Sequence, residues 1–169
     1  MSETSWDAVV FSPKVSMTIM GFSLFKQYED KDFTMTWSYA VDDDKADDFS
    51  FDVNAKEMLK DGKYFFLFEK MGVEPVDVAA DSKFHIMAKI KMKENDTYPR
   101  FRYGYSGDNP ELITGQAHMF KMEYSSYNNN STSADWGQFG HIIYSCSDTS
   151  IPVLPGDDNP GIKAFINVE

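Results

Sequence analysis

The sequence predicts an all-β protein, an antiparallel β-sandwich with little helix. Short runs that alternate apolar and polar residues recur roughly every 8 to 12 residues, with Gly, Pro, Asp and Asn between them, which is typical of a sandwich. Aromatic residues make up 15% of the chain, and their flat rings pack well on a pleated sheet. No stretch of about 12 residues keeps the helical period.

The first half of the chain contains four predicted strands, over residues 8–11, 15–25, 33–41 and 49–53. Gly21 interrupts the second run and predicts a bulge or a close backbone contact. The run 33–41 alternates most regularly, so we expect one face in the core and the other in water. The predicted core face is Phe33, Met35, Trp37, Tyr39 and Val41, and the predicted wet face is Thr34, Thr36, Ser38 and Ala40.

The middle of the chain continues this pattern. Residues 55–59 predict a short helical turn, and Asp61-Gly62 predicts a turn. The continuous apolar run 64–68 indicates a strand buried on both faces or a clamp of rings between sheets. Pro75 marks an edge or a crossing between sheets. Residues 84–92 alternate again and predict another strand.

The stretch 124–145 is predicted to organise the rest. It places a polar loop, residues 128–133, between an alternating run at 118–124 and an apolar run at 142–144. Asn tolerates left-handed backbone angles and bonds its own main chain, so this loop is predicted to be the tip of a hairpin. Trp136-Gly137-Gln138 is then expected to re-enter the sheet.

Length and charge restrict the domain organisation and the partners. The chain of 169 residues can form one core, and we expect a domain over residues 1–146. Residues 147–169 form an extension rich in Pro, Gly and Asp, whose apolar end at 162–168 is suited to an edge strand. The formal net charge of -11 disfavours nucleic acid and anionic membranes as partners.

Cysteine content and hydropathy indicate a soluble, cytoplasmic protein. The one cysteine, Cys146, has no internal disulfide partner, which fits a reducing compartment. No apolar run approaches the roughly 18 residues that a membrane helix needs.

Several segments, taken in order, resemble the PHR domain. This β-sandwich module of the jelly-roll type is found in Pam- and Highwire-type ubiquitin ligases and in BTB-domain adaptor proteins. The similar segments are 7–12 (DAVVFS), 19–25 (IMGFSLF), 73–75 (VEP), 128–132 (NNNST), Gly137-Gln138 and 142–145 (IIYS). Ser23, Lys26 and Ser131 stand where the family usually has Gly, and Phe139-Gly140 stands where Ile-Pro is expected.

The resemblance implies a non-enzymatic module that binds another protein, as an adaptor or as a subunit of a larger intracellular assembly. It also implies a link to substrate recruitment by ubiquitin ligases. No BTB or RING segment is visible, so we do not expect the chain itself to be a ligase.

The residues suited to catalysis or metal binding form no recognisable constellation. His85, His118 and His141 are scattered, without Cys, Asp or Glu at metal-ligand spacing. The acidic stretches 42–48 and 157–158 are oxygen-rich, as calcium sites are, but lack the spacing of a known calcium loop. We therefore expect solvated turns, no metal, no cofactor and no enzyme activity.

Two surfaces are candidates for partner binding. The first is Tyr98, Arg100 and Arg102, since rings and guanidinium groups are enriched where binding energy concentrates. Strand alternation places these arginines opposite Phe101, Tyr103 and Tyr105, and the alternative is that the rings fill the sandwich while the arginines are merely solvated. The second surface is the loop with its neighbours, Asn128, Asn129, Asn130, Trp136 and Gln138.

Two other classes of function compete with protein binding. Aromatic and Asn/Asp-rich loops also suit a lectin-like sandwich that binds carbohydrate or another small ligand. An enzyme would require two or three of His85, His118, His141 and Cys146 to converge in a cleft.

Overall fold

The computed structural model describes residues 4–60, 62–93, 104–105, 120–130 and 136–146. Strands dominate this part of the chain, and all of their pairings are antiparallel, which confirms the predicted fold class. The strands are β1 Asp7–Pro13, β2 Met17–Phe25, β3 Phe33–Val41, β4 Asp44–Lys45, β5 Phe49–Val53, β6 Leu59–Lys60, β7 Lys63–Leu67, β8 Val76–Val78, β9 Phe84–Met92, β10 Gly104–Tyr105, β11 Phe120–Glu123, β12 Trp136–Gly137 and β13 Phe139–Ser145.

Two sheets form the layers of the sandwich. The first sheet has the order β11-β1-β9-β3-β4, with β5 also paired to β3, and the second has the order β13-β2-β7-β6, with β8 also paired to β2. β10 and β12 form a separate two-stranded ladder. The predicted helical turn is the helix α1, Ala55–Met58, whose first turn is capped by the Asn54 side chain.

Large aromatic rings fill the space between the layers. Trp37 of the first sheet lies 5.6 Å from Phe22 of the second, measured between ring centroids. Phe22 also contacts Phe66 at 5.2 Å and Phe139 at 5.8 Å. All four side chains are at most 1% exposed, so these rings form the centre of the core.

Two predictions about strand faces need correction. Ser38 and Ala40, on the predicted wet face of β3, are fully buried. Other segments of the chain cover this half of the outer face. The run 64–68 leaves Phe65 half-buried, so the alternative of a strand buried on both faces is wrong. The other alternative agrees with the structure, because Tyr64 and Phe68 are buried and contact Phe33 and Trp37 of the opposite sheet. Alternation alone could not show that a second layer of residues covers Ala40.

The predicted hairpin around the asparagine loop is wrong. β11 pairs with β1 in the first sheet, whereas β13 pairs with β2 in the second. The chain between them therefore passes from one layer to the other instead of turning back on itself. β12 pairs with β10, outside both large sheets.

Gly21 makes the close backbone contact that its position predicts. It lies opposite Leu67 in the pairing of β2 with β7, and a Cβ added to it would overlap the carbonyl oxygen of Phe66. No side-chain rearrangement relieves such an overlap, because both atoms belong to backbone.

We expect Gly21→Ala to lower the free energy of unfolding by about 3 kcal/mol, because the strands must separate to admit the methyl group. Gly62→Ala is the matched control. Gly62 has a φ of 75° but open space around its Cβ position, so only backbone strain of about 1 kcal/mol applies. Urea denaturation measures both, and equal losses would contradict the steric account.

Candidate functional site

Residues 124–130, which follow β11 and which we call the asparagine loop, are attached to the start of β1. The Trp6 N–H donates to Oδ1 of Asn129 at 2.6 Å, and the Asn129 N–H donates to the Trp6 carbonyl at 3.2 Å. Oδ1 of Asn128 accepts a longer bond from the Ala8 N–H at 3.4 Å. The loop is therefore bonded to the chain around the start of β1, although 123 residues separate Trp6 from Asn129.

The third asparagine holds a buried carboxylate. Nδ2 of Asn130 donates to both carboxylate oxygens of Asp7, each at 3.1 Å. Asp7 is 1% exposed, and a buried carboxylate is costly unless its oxygens accept hydrogen bonds. Asn130 thus satisfies a charge at the first residue of β1.

The same loop covers part of the outer face of the first sheet. Tyr127 and Trp6 pack against a small buried cluster formed by Ala8, Ala40 and Met87. This contact is the reason that the outer face of β3 is dry at Ala40. The loop and the segment before β1 therefore form a second, thin layer outside the sandwich.

His85 lies under this layer and is part of its support. Its Nδ1 is 2.8 Å from Oγ of Ser125, which accepts a bond from the Tyr127 N–H at 3.3 Å. The Tyr127 ring stands edge-on to the imidazole, with 5.0 Å between centroids. Burial, and secondly the Lys83 ammonium, lower the pKa of His85, which favours the neutral imidazole.

His141 occupies a corresponding place on the outer face of the second sheet. Its Nδ1 is 2.9 Å from Oγ of Ser23, and its ring stacks on Phe65 at 5.8 Å. Burial, and secondly the Lys63 ammonium, lower the pKa of His141 from 6.5 to about 4. Ser23, which stands where the PHR domain usually has Gly, is therefore the hydrogen-bond partner of a buried imidazole.

Three of the four candidate catalytic groups lie in the described part of the chain, and they do not come together; His118 lies outside it. His85 and His141 lie on the outer faces of different sheets, with the aromatic core between them. Cys146 lies apart from both, where its thiol donates to the Ser16 carbonyl at 3.8 Å beside an open groove. In the described ranges no three His, Cys, Asp or Glu side chains are grouped to hold a metal.

The acidic stretch 42–48 forms a turn tied to neighbouring chain. Oδ1 of Asp42 accepts from the Lys83 N–H at 2.8 Å, and the Asp42 N–H donates to the Lys83 carbonyl at 2.7 Å. Lys45 pairs with Asp48 at 2.6 Å. Some of the acidic side chains in this stretch are therefore engaged in hydrogen bonds to backbone or in an ion pair.

The predicted partner-binding residues fall into three groups. Tyr98, Arg100 and Arg102 lie outside the described residues. Trp136 is placed by its backbone, opposite Tyr105 in the ladder of β12 with β10, and the half-buried Gln138 accepts a bond from the Phe25 N–H at 2.8 Å through its carbonyl. Asn129 and Asn130 are exposed and Asn128 is half-buried, so these three side chains bond within the protein and still border solvent.

Trp6 and Lys89 are surface residues that the sequence reasoning missed. Nζ of Lys89 is 4.5 Å from the Trp6 ring centroid, and Nζ of Lys45 is 5.7 Å from it. The alternation of β9 places Lys89 on the face opposite Ile90, so the sequence could have predicted that Lys89 lies on the outer face. Its pairing with Trp6 depends on strand register, which the sequence did not reveal.

None of the helices in the described residues is long and apolar enough to cross a membrane.

Asn130→Ala should lower the free energy of unfolding by about 1.5 kcal/mol, because the buried Asp7 carboxylate loses a donor. Asn130→Asp should cost more, since it replaces the donor with a second negative charge. Ser126→Ala, at an exposed position of the same loop, should change stability by less than about 0.5 kcal/mol. Urea denaturation of the three variants gives the ranking, and a loss for Asn130→Asp no larger than for Asn130→Ala would contradict it.

The lowered pKa of His141 predicts a pH dependence of stability. Its folded pKa of about 4 lies below the ordinary 6.5, so in this pH range the unfolded chain binds a proton that the folded chain does not. The contribution of His141 is therefore complete above pH 6.5 and is lost as the pH falls to about 4. The loss amounts to about 3 kcal/mol.

The variant His141→Asn tests this dependence, because the Asn side chain retains a polar atom near the position of Nδ1 but does not titrate. Between pH 7 and pH 4 the natural protein should therefore lose about 3 kcal/mol more unfolding free energy than His141→Asn loses. His85→Asn should retain the contribution of His141. A difference that stays constant with pH for His141→Asn would refute the assignment.

Comparison with known proteins agrees with this geometry. A family model described as the PHR domain matches residues 1–145. A search of curated proteins finds no match. The match covers β1 through β13, including the asparagine loop and both layers of the sandwich. The chain therefore belongs to the PHR domain family.

Proposed function

We propose that this chain is a non-enzymatic protein-binding module that acts as an adaptor or as a subunit of a larger cytoplasmic assembly. PHR domains are protein-interaction modules in general, and the family match spans nearly the whole described part of the chain. A link to substrate recruitment by ubiquitin ligases is the finer form of this proposal. Residues 1–146 are the binding domain, and residues 147–169 are an extension of it.

The observation that carries the proposal is the attachment of the asparagine loop to β1. A protein-binding loop gains affinity when it is already held in its bound shape, because less conformational entropy is lost on binding. Two hydrogen bonds join Asn129 to the Trp6 backbone, one through the Asn129 side chain and one through its N–H. Together with the bonds from Asn130 to Asp7 they supply such restraint. Asn129 and Asn130 nevertheless remain exposed, so the loop is both fixed and accessible.

The arrangement of the histidines supports a role without catalysis. Ser23 and His141 are 0% and 3% exposed, so a substrate has no access to this Ser–His pair. His85 and Ser125 are also buried, beneath Tyr127. Both pairs serve as hydrogen-bonded supports on the outer faces of the sheets.

The proposal is tested by capture of partners from the source cell with the full chain as bait. Reproducible protein partners should be retained by the natural chain and lost with Arg100→Glu combined with Arg102→Glu, or with Trp136→Ala. A double charge reversal at Lys56 and Lys60, both exposed, is the matched control because it changes the net charge equally.

Loss of partners in the arginine or tryptophan variant, but not in the lysine control, supports the corresponding surface. Retention of every partner in all variants would remove both predicted surfaces. Absence of any reproducible partner for the natural chain would overturn the protein-binding function itself. Circular dichroism of each variant confirms that the fold is intact.

A further inference from the structure

We propose that Trp6, Lys45 and Lys89 form a ledge on the outer face of the first sheet, and that this ledge binds an acidic segment of a partner protein. The proposal rests on the protein-binding function above and names a different surface and a chemical class of partner. We call these three residues the Trp6 ledge.

Strand register places Trp6 beside Lys89. In the pairing of β1 with β9, Asp7 lies opposite Ala88 and Ala8 opposite Met87. One further step in this register brings Trp6 opposite Lys89. Because Ala88 and Ile90 are in the core, Lys89 points to the outer face, where its ammonium lies 4.5 Å from the indole centroid.

Two ammonium groups therefore approach one indole. Lys45, in the short strand β4, brings its Nζ to 5.7 Å from the same ring. A cation above an indole face is stabilised by the ring quadrupole, so the ring holds positive charge in place. Trp6 is only half-buried, which leaves part of this charged assembly open to a partner.

The positive charge of Lys89 is not neutralised by an ion pair in the described part of the chain, where the ion pairs involve other lysines. Lys45 already pairs with Asp48 at 2.6 Å, so it contributes less. The Asp52 carboxylate on β5 does not pair with Lys89 either, because it is paired with Lys93 at 3.3 Å and accepts a bond from the Thr34 hydroxyl at 2.6 Å. Lys89 is thus the main cation that the ledge offers to a partner.

The neighbouring residues suit an extended peptide. Thr36 lies opposite Lys89 in the pairing of β3 with β9, and Ser50 lies opposite Thr36 in the pairing of β3 with β5. Across the sheet, the Trp6 ring is therefore followed in register by the Lys89 ammonium and then by the hydroxyl groups of Thr36 and Ser50. Thr36 is half-buried and Ser50 is exposed, and both provide hydroxyl groups that can donate to carboxylates.

Charge complementarity selects an acidic occupant. The chain has a net charge of -11, and Lys45 lies within the acidic stretch 42–48 and is paired with Asp48. The half-buried Lys89 beside the Trp6 ring is therefore the position on the ledge that attracts an acidic segment. The indole adds apolar contact for the side-chain stems. Aromatic residues of this kind concentrate binding energy at protein interfaces.

The asparagine loop acts on this ledge indirectly, as a positioning element. The bonds between Asn129 and the backbone of Trp6 fix the position of the indole, and Tyr127 packs beside it on the same small cluster. Substitution of Asn129 should therefore weaken binding of the acidic peptide although it leaves all three residues of the Trp6 ledge in place.

The test uses the full chain and a labelled peptide with four consecutive glutamates flanked by Gly and Ser. Fluorescence anisotropy at low salt should detect binding, and Lys89→Glu should weaken it at least about tenfold, because attraction becomes repulsion. Trp6→Ala should weaken it similarly, whereas Trp6→Phe should retain part of the affinity. Binding should also decline as salt screens the charges.

Lys70→Glu is the matched control. Lys70 is exposed in the 3₁₀ turn that follows β7 in the second sheet, so this variant makes the same change in net charge away from the ledge. Its affinity should stay within about twofold of the natural chain. A spectrum that follows the indole N–H of Trp6 during titration locates the peptide and reports whether each variant is folded.

Three results would overturn the ledge. These are no peptide binding by the natural chain, equal weakening by Lys89→Glu and Lys70→Glu, or peptide contacts that leave the Trp6 signal unchanged. If cellular partners are captured but Lys89→Glu retains them all, the ledge fails and the protein-binding function stands. If no partner is captured, the function fails independently of the peptide result.

Discussion

The contact between Trp37 and Phe22 across the two layers is the interaction on which the rest of the structure depends. Phe68 stacks on Trp37 at 5.0 Å, and Phe49 packs against it at 4.8 Å. Each such pair contributes about 1 kcal/mol beyond the burial of its surface. Because the rings are large and rigid, they set both the separation and the alignment of the sheets. Nε1 of Trp37 has no hydrogen-bond partner among the described residues, so burial of this ring carries a polar cost that its packing has to offset.

The filled interior leaves the outer faces and the loops of the sandwich as the surfaces available for the proposed recognition. On the second sheet, the outer face around β2 is occupied by the stacked ring of His141 and the hydroxyl of Ser23. On the first sheet, the asparagine loop and Trp6 form an added layer above Ala40 and Met87. The ammonium groups of Lys45 and Lys89 lie near the Trp6 ring in that layer, which is where we propose that an acidic partner binds.

The asparagine loop connects the fold to the proposed function. Its three amides bind the segment from Trp6 to Ala8, and one of them satisfies the buried Asp7. A loop that merely closed a hairpin would need no such bonds to the other end of the domain. The asparagines that the sequence predicts as a binding surface therefore also fix the position of Trp6, which is distant in the chain.

The sequence by itself determined the local features: the strands at 33–41 and 84–92, the helical turn after Asn54, and the close contact of Gly21. The strands follow from side-chain alternation and the close contact from the lack of a Cβ, and these depend only on neighbouring residues. Only the tertiary structure decided that β11 and β13 belong to different sheets, that Ala40 is covered, and that Trp6 meets Lys89. These outcomes depend on pairings between segments up to 123 residues apart, where register and partner are set by mutual packing that no local pattern encodes.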